Sequence, residues 1–283
     1  MQRFFKSIDF IEQHLFERIS VHDIAKASHF STYYFCRVFR SLVGDTPKEY
    51  LRKRRLSIAA EKLLYEDIGI LDLAIDFQFE SQEAFTRAFK NQFKTTPAQY
   101  RKNKQAKNLL YREQFSLDEL SYLQTRLSME PEIITQPEIK VVGIVTHYDD
   151  TDFDLLKIWQ PFLTYQSPIA NVIGSEGFGI YEASTSDDGS VGFSYLCSIE
   201  VSSFDDVPKD MESRLIPEQR YAKFTHKGPV ANLNETLKYI WGSWLPKSKY
   251  DYVEKSDFEL YPQDFDDSNP DNVIYLHIPI KPR

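Results

Sequence analysis

The chain has 283 residues, 42% apolar and 27% charged, a globular balance that is neither that of a disordered nor of a membrane-embedded chain and that predicts two domains at roughly 100–200 residues each. No apolar run approaches the roughly 18 residues of a spanning helix, no secretory leader opens the chain, and Cys36 and Cys197 lie too far apart for a disulfide framework or a zinc site, so a cytoplasmic protein is expected. The net charge of -8 conceals a division: residues 1–107 carry 19 Lys+Arg against 13 Asp+Glu, whereas residues 108–283 carry 15 against 29, which points to nucleic-acid contact by the first part alone.

Residues 1–102 read as helical, with apolar residues at three- and four-residue spacing and only Gly44 and Gly69 as glycines. They also repeat. Ser31, Phe35, Arg37, Phe39, Thr46, Pro47 and Tyr50 recur fifty residues on as Ser81, Phe85, Arg87, Phe89, Thr96, Pro97 and Tyr100. In each copy a short helix, a turn and a longer helix are expected. Ser20 caps the first short helix with Asp23 three residues later. A turn at Ser28-His29-Phe30 follows, and Ser31 caps a helix that Gly44 ends. Copy two runs over 70–77 and 81–93, and Pro97 opens a last short helix. Between the copies, 47–65 reads as a spacing helix.

This is two helix-turn-helix units in one chain. Each places its second helix in the major groove, and two of them can reach successive grooves about 34 Å apart. A monomer then suffices for an asymmetric site. Arg pairs bidentately with guanine and Gln with adenine.

The segment FESQEAFTRAFKNQFKTTPAQYR, residues 79–101, resembles the second-copy signature of the AraC/XylS DNA-binding domain, and the resemblance extends over residues 3–102. It implies a bacterial transcription regulator, often an activator that touches RNA polymerase. The base-reading positions of that family fall on Thr32, Tyr33, Cys36, Arg37 and Arg40, and in the second copy on Ser81, Gln82, Glu83 and Arg87. The alternative for each is a solvated helix face. Gln78 stands where many relatives carry Gly, so a strained or remodelled turn is expected.

Residues 106–130 are expected to form a partly helical linker, and Pro131 to open a second domain over 131–283. There the period changes to short runs rich in Val, Ile, Tyr and Phe. Strands are expected over 139–147, 172–182 and 192–201, with a helix over 153–165 after the first and a turn-rich joint over 184–190. A second set follows: strand 220–226, helix 230–245, strands 257–261 and 273–280. The fold class is therefore multidomain: an all-α DNA-binding domain, then an α+β domain built from a duplicated strand-helix-strand-strand unit. Tyr181 and Tyr195 match Tyr261 and Tyr275 at an offset of 80, as Gly179 matches Glu259.

Strand alternation puts Glu259 and Tyr261 on one face, with Gly179 and Tyr181 across a pseudo-two-fold cleft and with Tyr195, Tyr275 and His277 beside them. Burying a carboxylate among aromatics is costly unless it is paired, and a ligand cation can supply the partner. The motifs YAKFTHKGPVANLNETLKYIWGSWLP, DFELYP and IYLHIPIK resemble the GyrI-like effector-binding domain. That resemblance implies a sensor for lipophilic or cationic small molecules, its central acidic residue falling on Glu259. No cofactor, metal, membrane or catalytic residue is expected. Two other readings of this half are a protein-binding surface and a hydrolase using Glu259 with a tyrosine.

Overall fold

The computed structural model describes residues 2–104, 110–124, 129–148, 154–165, 168–185, 191–266 and 269–283. Leu109, Phe153 and residues 186–190 of the expected 184–190 turn lie outside the described residues. The chain divides into two compact units, Met1–Glu119 and Leu120–Arg283.

The first unit is helical: α1 (Gln2–Gln13), α2 (Val21–Ala27), α3 (Thr32–Val43), α4 (Pro47–Tyr65), α5 (Ile70–Asp76), α6 (Gln82–Phe93) and α7 (Pro97–Asn103). The starts are set by side-chain caps. Ser20 and Asp23 form a capping box on α2, and Thr46 with Glu49 repeats it on α4. Ser31 and Ser81 cap α3 and α6, and Thr96 caps α7. Gly44, at φ 81, ends α3 in the left-handed region.

The sequence repeat is a packing repeat. Phe35, Phe39 and Tyr50 contact in series at 5.3 and 5.4 Å between ring centres, and Phe85, Phe89 and Tyr100 at 5.7 and 5.4 Å. α4 serves both cores: Tyr50 and Leu51 are buried near its start, while Leu56, Ala59, Ala60 and Leu63 join the second core. Both helix-turn-helix turns need a left-handed residue, supplied by His29 at φ 56 and Gln78 at φ 62. Gln78 therefore keeps the turn of copy one rather than remodelling it, and its amide donates to the Phe16 carbonyl at 2.9 Å. The steric cost of a side chain at positive φ is partly offset by that bond.

Residues 110–116 pack onto this unit. Arg112 N donates to Ser57 at 2.9 Å, Phe115 N to Tyr50 at 3.0 Å, and Tyr111 and Tyr100 share a phenol–phenol bond at 2.8 Å. Only then does α8 (Leu117–Gln124) follow.

The second unit holds β1 (Glu132–Gln136), β2 (Ile139–Tyr148), α9 (Leu155–Leu163), β3 (Val172–Thr185), β4 (Val191–Val201), β5 (Glu212–Ile216) and β6 (Gln219–Lys227). After these come α10 (Leu233–Tyr239), a π segment Ile240–Trp244, α11 (Leu245–Lys247), β7 (Tyr250–Tyr252), β8 (Phe258–Tyr261) and β9 (Val273–Pro282). The strand order is β1-β6-β9-β8-β3-β4-β2-β5, with β7 on the far end of β9. That order is a palindrome about the β8/β3 contact, so the repeating unit is strand-strand-helix-strand-strand.

The additional first strand of each unit was legible after all. Pro137-Glu138 and Pro217-Glu218 stand 80 residues apart, each joining a short strand to a longer one. A tight hairpin turn wants positive φ at its centre, and neither dipeptide has it. The strands they join do not pair with each other. Instead β1 crosses to β6 and β5 to β2, each in the other repeat. The sheet curls, so that Ile134 and Tyr221 near one end share a core with Ile139, Val141 and Ile216 at the other.

Candidate functional site

The pseudo-two-fold axis passes between β3 and β8, where Gly179 lies directly opposite Glu259 and Gly177 opposite Tyr261. Gly179 and Glu259 are therefore both repeat mates and ladder neighbours. Residues directly opposite project to the same face. Two large or charged side chains would collide on the axis; one glycine lets a single carboxylate occupy it.

Glu259 is 2% exposed. Tyr181 donates to its Oε1 at 3.0 Å, and Tyr195 and Tyr261 each donate to its Oε2 at 2.7 Å. Tyr181 and Tyr261 are themselves repeat mates, so the carboxylate is held from both halves. Burial, then the charge of Glu259, pushes the phenols of Tyr195 and Tyr261 well above their ordinary range, so both remain donors at neutral pH. The same two causes, in the same order, raise the Cys197 thiol, which donates to the Ile158 carbonyl at 3.5 Å.

Both helices cover this face. Trp159 of α9 meets Tyr261 edge-on at 5.0 Å and Tyr195 at 6.4 Å. On the second repeat His226 bonds Thr236 at 2.8 Å, and Phe224 packs on Trp244 at 5.0 Å. Glycine makes room twice. A Cβ at Gly177 would stand 2.9 Å from the Trp159 ring, and one at Gly179 would stand 1.7 Å from the Tyr195 hydroxyl oxygen. Tyr195 is fully buried and cannot swing to solvent. Gly179→Ala should therefore destabilise the chain by about 1–3 kcal/mol, the usual cost of overpacking a filled core. A denaturant midpoint unchanged at constant m-value would contradict this packing.

Two residues expected beside Glu259 are not there. Gly179 pairs with Cys197, 18 residues on, whereas Glu259 pairs with Leu276, 17 residues on. This one-residue difference in register sends every β9 side chain to the opposite face from its apparent repeat mate. Tyr275 and His277 consequently point away from the carboxylate. Lys223 lies 4.5 Å over the Tyr275 ring, and His277 stacks on Phe258 at 4.2 Å. Burial, then Lys223, lowers His277 to about 3, leaving a neutral imidazole at neutral pH. Leu276, Ile274 and Ile278 take the carboxylate face of β9 instead. Trp159 is the residue that sequence reasoning missed. The available signal was Gly177, where a Cβ would stand 2.9 Å from the Trp159 ring.

On the helical unit, Gln82, Glu83 and Arg87 are exposed along α6, and Thr32, Tyr33, Arg37 and Arg40 are half-buried on α3. Thr32 also bonds the His22 ring at 3.3 Å. Two expected base-readers also have places in the fold. Cys36 is buried on α3, 5% exposed. The Ser81 hydroxyl accepts from Ala84 N at 3.1 Å as the cap of α6. Part of the basic charge is also internal. Arg55 donates to the Leu15 carbonyl, Arg101 to that of Ile68, and Arg112 to Asp45.

Among the described residues no helix is long and apolar enough to cross a membrane, and no group of three His, Cys, Asp or Glu could hold a metal ion. Residues 129–281 match the family described as the GyrI-like small molecule binding domain, and residues 24–103 match a helix-turn-helix domain. The chain is 27% identical over 286 residues to the transcriptional regulator Rob of Salmonella typhimurium, covering 96% of this chain and 95% of that one. It is 26% identical over 262 residues to the right origin-binding protein of Escherichia coli K12, covering 89% and 87%. Its helical part is 50% identical over 96 residues to the HTH-type transcriptional regulator YbfP of Bacillus subtilis, covering 34% of this chain and 32% of that relative. The match thus spans about a third of YbfP and nearly the whole of Rob.

Proposed function

Since the chain belongs to the AraC-type transcription regulators that carry a GyrI-like small-molecule-binding domain, we propose that its effector is a lipophilic cation received at Glu259. One observation carries this reading: a buried carboxylate on the symmetry axis, fixed through both oxygens by three phenols, with the Trp159 indole against two of those rings. Aromatic faces add about 0.5–2 kcal/mol each to a desolvated cation. The cluster is buried and closed by helices, which favours a small molecule over a protein partner. The phenols stay protonated and serve as donors, which favours binding over hydrolysis.

Residues 1–119 act on double-stranded DNA in this reading, in the bacterial cytoplasm, as an activator that engages RNA polymerase. Effector binding need only favour one arrangement of the chain to change that output.

The test is a fluorescence titration of the intact chain with lipophilic cations and with neutral molecules of the same shape. Saturable binding that prefers the cations is the expected result; binding of neither class sinks the effector assignment. The DNA half is tested apart. Arg87→Ala and Arg37→Ala should each weaken specific binding by about 1–3 kcal/mol in an anisotropy titration. Unchanged affinity at both positions would remove α3 and α6 from the groove.

A further inference from the structure

Trp159 holds a buried hydrogen-bond donor in reserve. Its Nε1 is shielded from solvent and has no hydrogen-bond partner among the described residues. Indole nitrogen is donor only, so no proton rearrangement can satisfy it. A buried donor left unpaired costs about 1–3 kcal/mol, and proteins rarely carry one without a use for it. The position is built rather than accidental. Gly177 leaves the strand bare where the six-membered ring lies, since a Cβ there would stand 2.9 Å from it. The ring also touches Tyr261 and Tyr195, two of the three phenols that hold Glu259.

We infer that Trp159 is a specificity residue whose indole N–H binds an acceptor oxygen on the effector, so that the preferred ligand is a lipophilic cation that also carries a carbonyl or ether oxygen. This rests on the cation reading of the Glu259 site and adds a second point of recognition to it. The cationic centre goes to the carboxylate and the rings; the oxygen goes to the indole. A site with a donor to satisfy discriminates strongly against an analogue lacking the acceptor, because that analogue leaves the donor unpaired.

The experiment is calorimetric titration of the intact chain with two alkyltriphenylphosphonium ions of equal chain length, one ending in a methyl ester and one in a plain alkyl group. Wild type should bind the ester about tenfold more tightly. Trp159→Phe, which keeps an aromatic ring and removes the N–H, should bring the two within about twofold, whatever the smaller ring costs both ions in common. A denaturant midpoint near that of wild type reports that the variant is folded. Glu259→Gln should weaken both ions and keep the ester preference. Equal binding of the two ions by wild type, or a preference that survives in Trp159→Phe, overturns the indole assignment and leaves the cation site standing. Binding of neither ion by wild type overturns both.

Discussion

Glu259→Gln is expected to weaken lipophilic cations by about 2–5 kcal/mol, the range for removing one member of a buried, hydrogen-bonded charge pair. Neutral molecules of the same shape should change by less than about 1 kcal/mol. The substitution isolates charge because the cage survives it. The glutamine carbonyl can accept a phenol hydrogen bond as the carboxylate does, and its NH2 can donate to a phenol oxygen, since each hydroxyl both donates and accepts. Tyr181, Tyr195 and Tyr261 therefore keep partners, and fold stability should move far less than cation affinity. Equal loss for charged and neutral ligands would mean that Glu259 shapes the site without pairing with its occupant.

Much of this site is readable from sequence because the repeat makes a prediction that alternation can check. Gly179, Tyr181, Glu259 and Tyr261 all lie on β3 and β8, where both repeats pair symmetrically, and the offset of 80 places them together. The same offset misplaces Tyr275 and His277. Tyr-Leu occurs in both β4 and β9, yet the second hairpin pairs one residue out of step, and sequence identity carries no information about that step. Register is fixed by what fills the face. Leu276 beneath Glu259 and Ile274 beside it are apolar, and the alternative register would bring Tyr275 and His277 against the helices.

The helical half was legible for a different reason. Its helix starts are written in local chemistry, Ser20, Ser31, Thr46, Ser81 and Thr96, each bonding a backbone amide three residues ahead. What local pattern could not supply is which arginines face outward. Arg54 and Arg87 look alike in sequence; one is buried in an ion pair and the other exposed on α6. β1 and β5 were missed because five-residue strands at a sheet edge alternate weakly, and only their shared Pro-Glu exits mark them as one element repeated.

Arg54→Ala should destabilise the helical unit by about 3–5 kcal/mol, the cost of breaking a buried pair from one side. Arg54 is 8% exposed. Its Nε and Nη2 donate to the two oxygens of Glu12 at 2.8 and 2.7 Å, and its Nη1 donates to the Arg112 carbonyl at 2.6 Å. Burial alone would lower the guanidinium, but Glu12 more than reverses this and the net shift is upward. Tyr50 donates to Glu12 at 3.3 Å and accepts from Phe115 N at 3.0 Å, so the pair ties α1, α4 and residues 110–116 into one network. Alanine removes the charge and leaves Glu12 behind. Replacing both members, Glu12→Leu with Arg54→Met, should recover most of the loss, because no uncompensated charge then remains. Denaturant midpoints at constant m-value for the two single variants and the double variant measure this directly. Because α4 supplies residues to both helix-turn-helix cores, the Arg54→Ala chain should also lose DNA affinity in proportion to its unfolded fraction, and the double variant should regain it. A single-variant loss below about 1 kcal/mol would reduce the pair to the standing of an exposed salt bridge. Retained stability with lost DNA binding would instead move Arg54 from the fold to the interface.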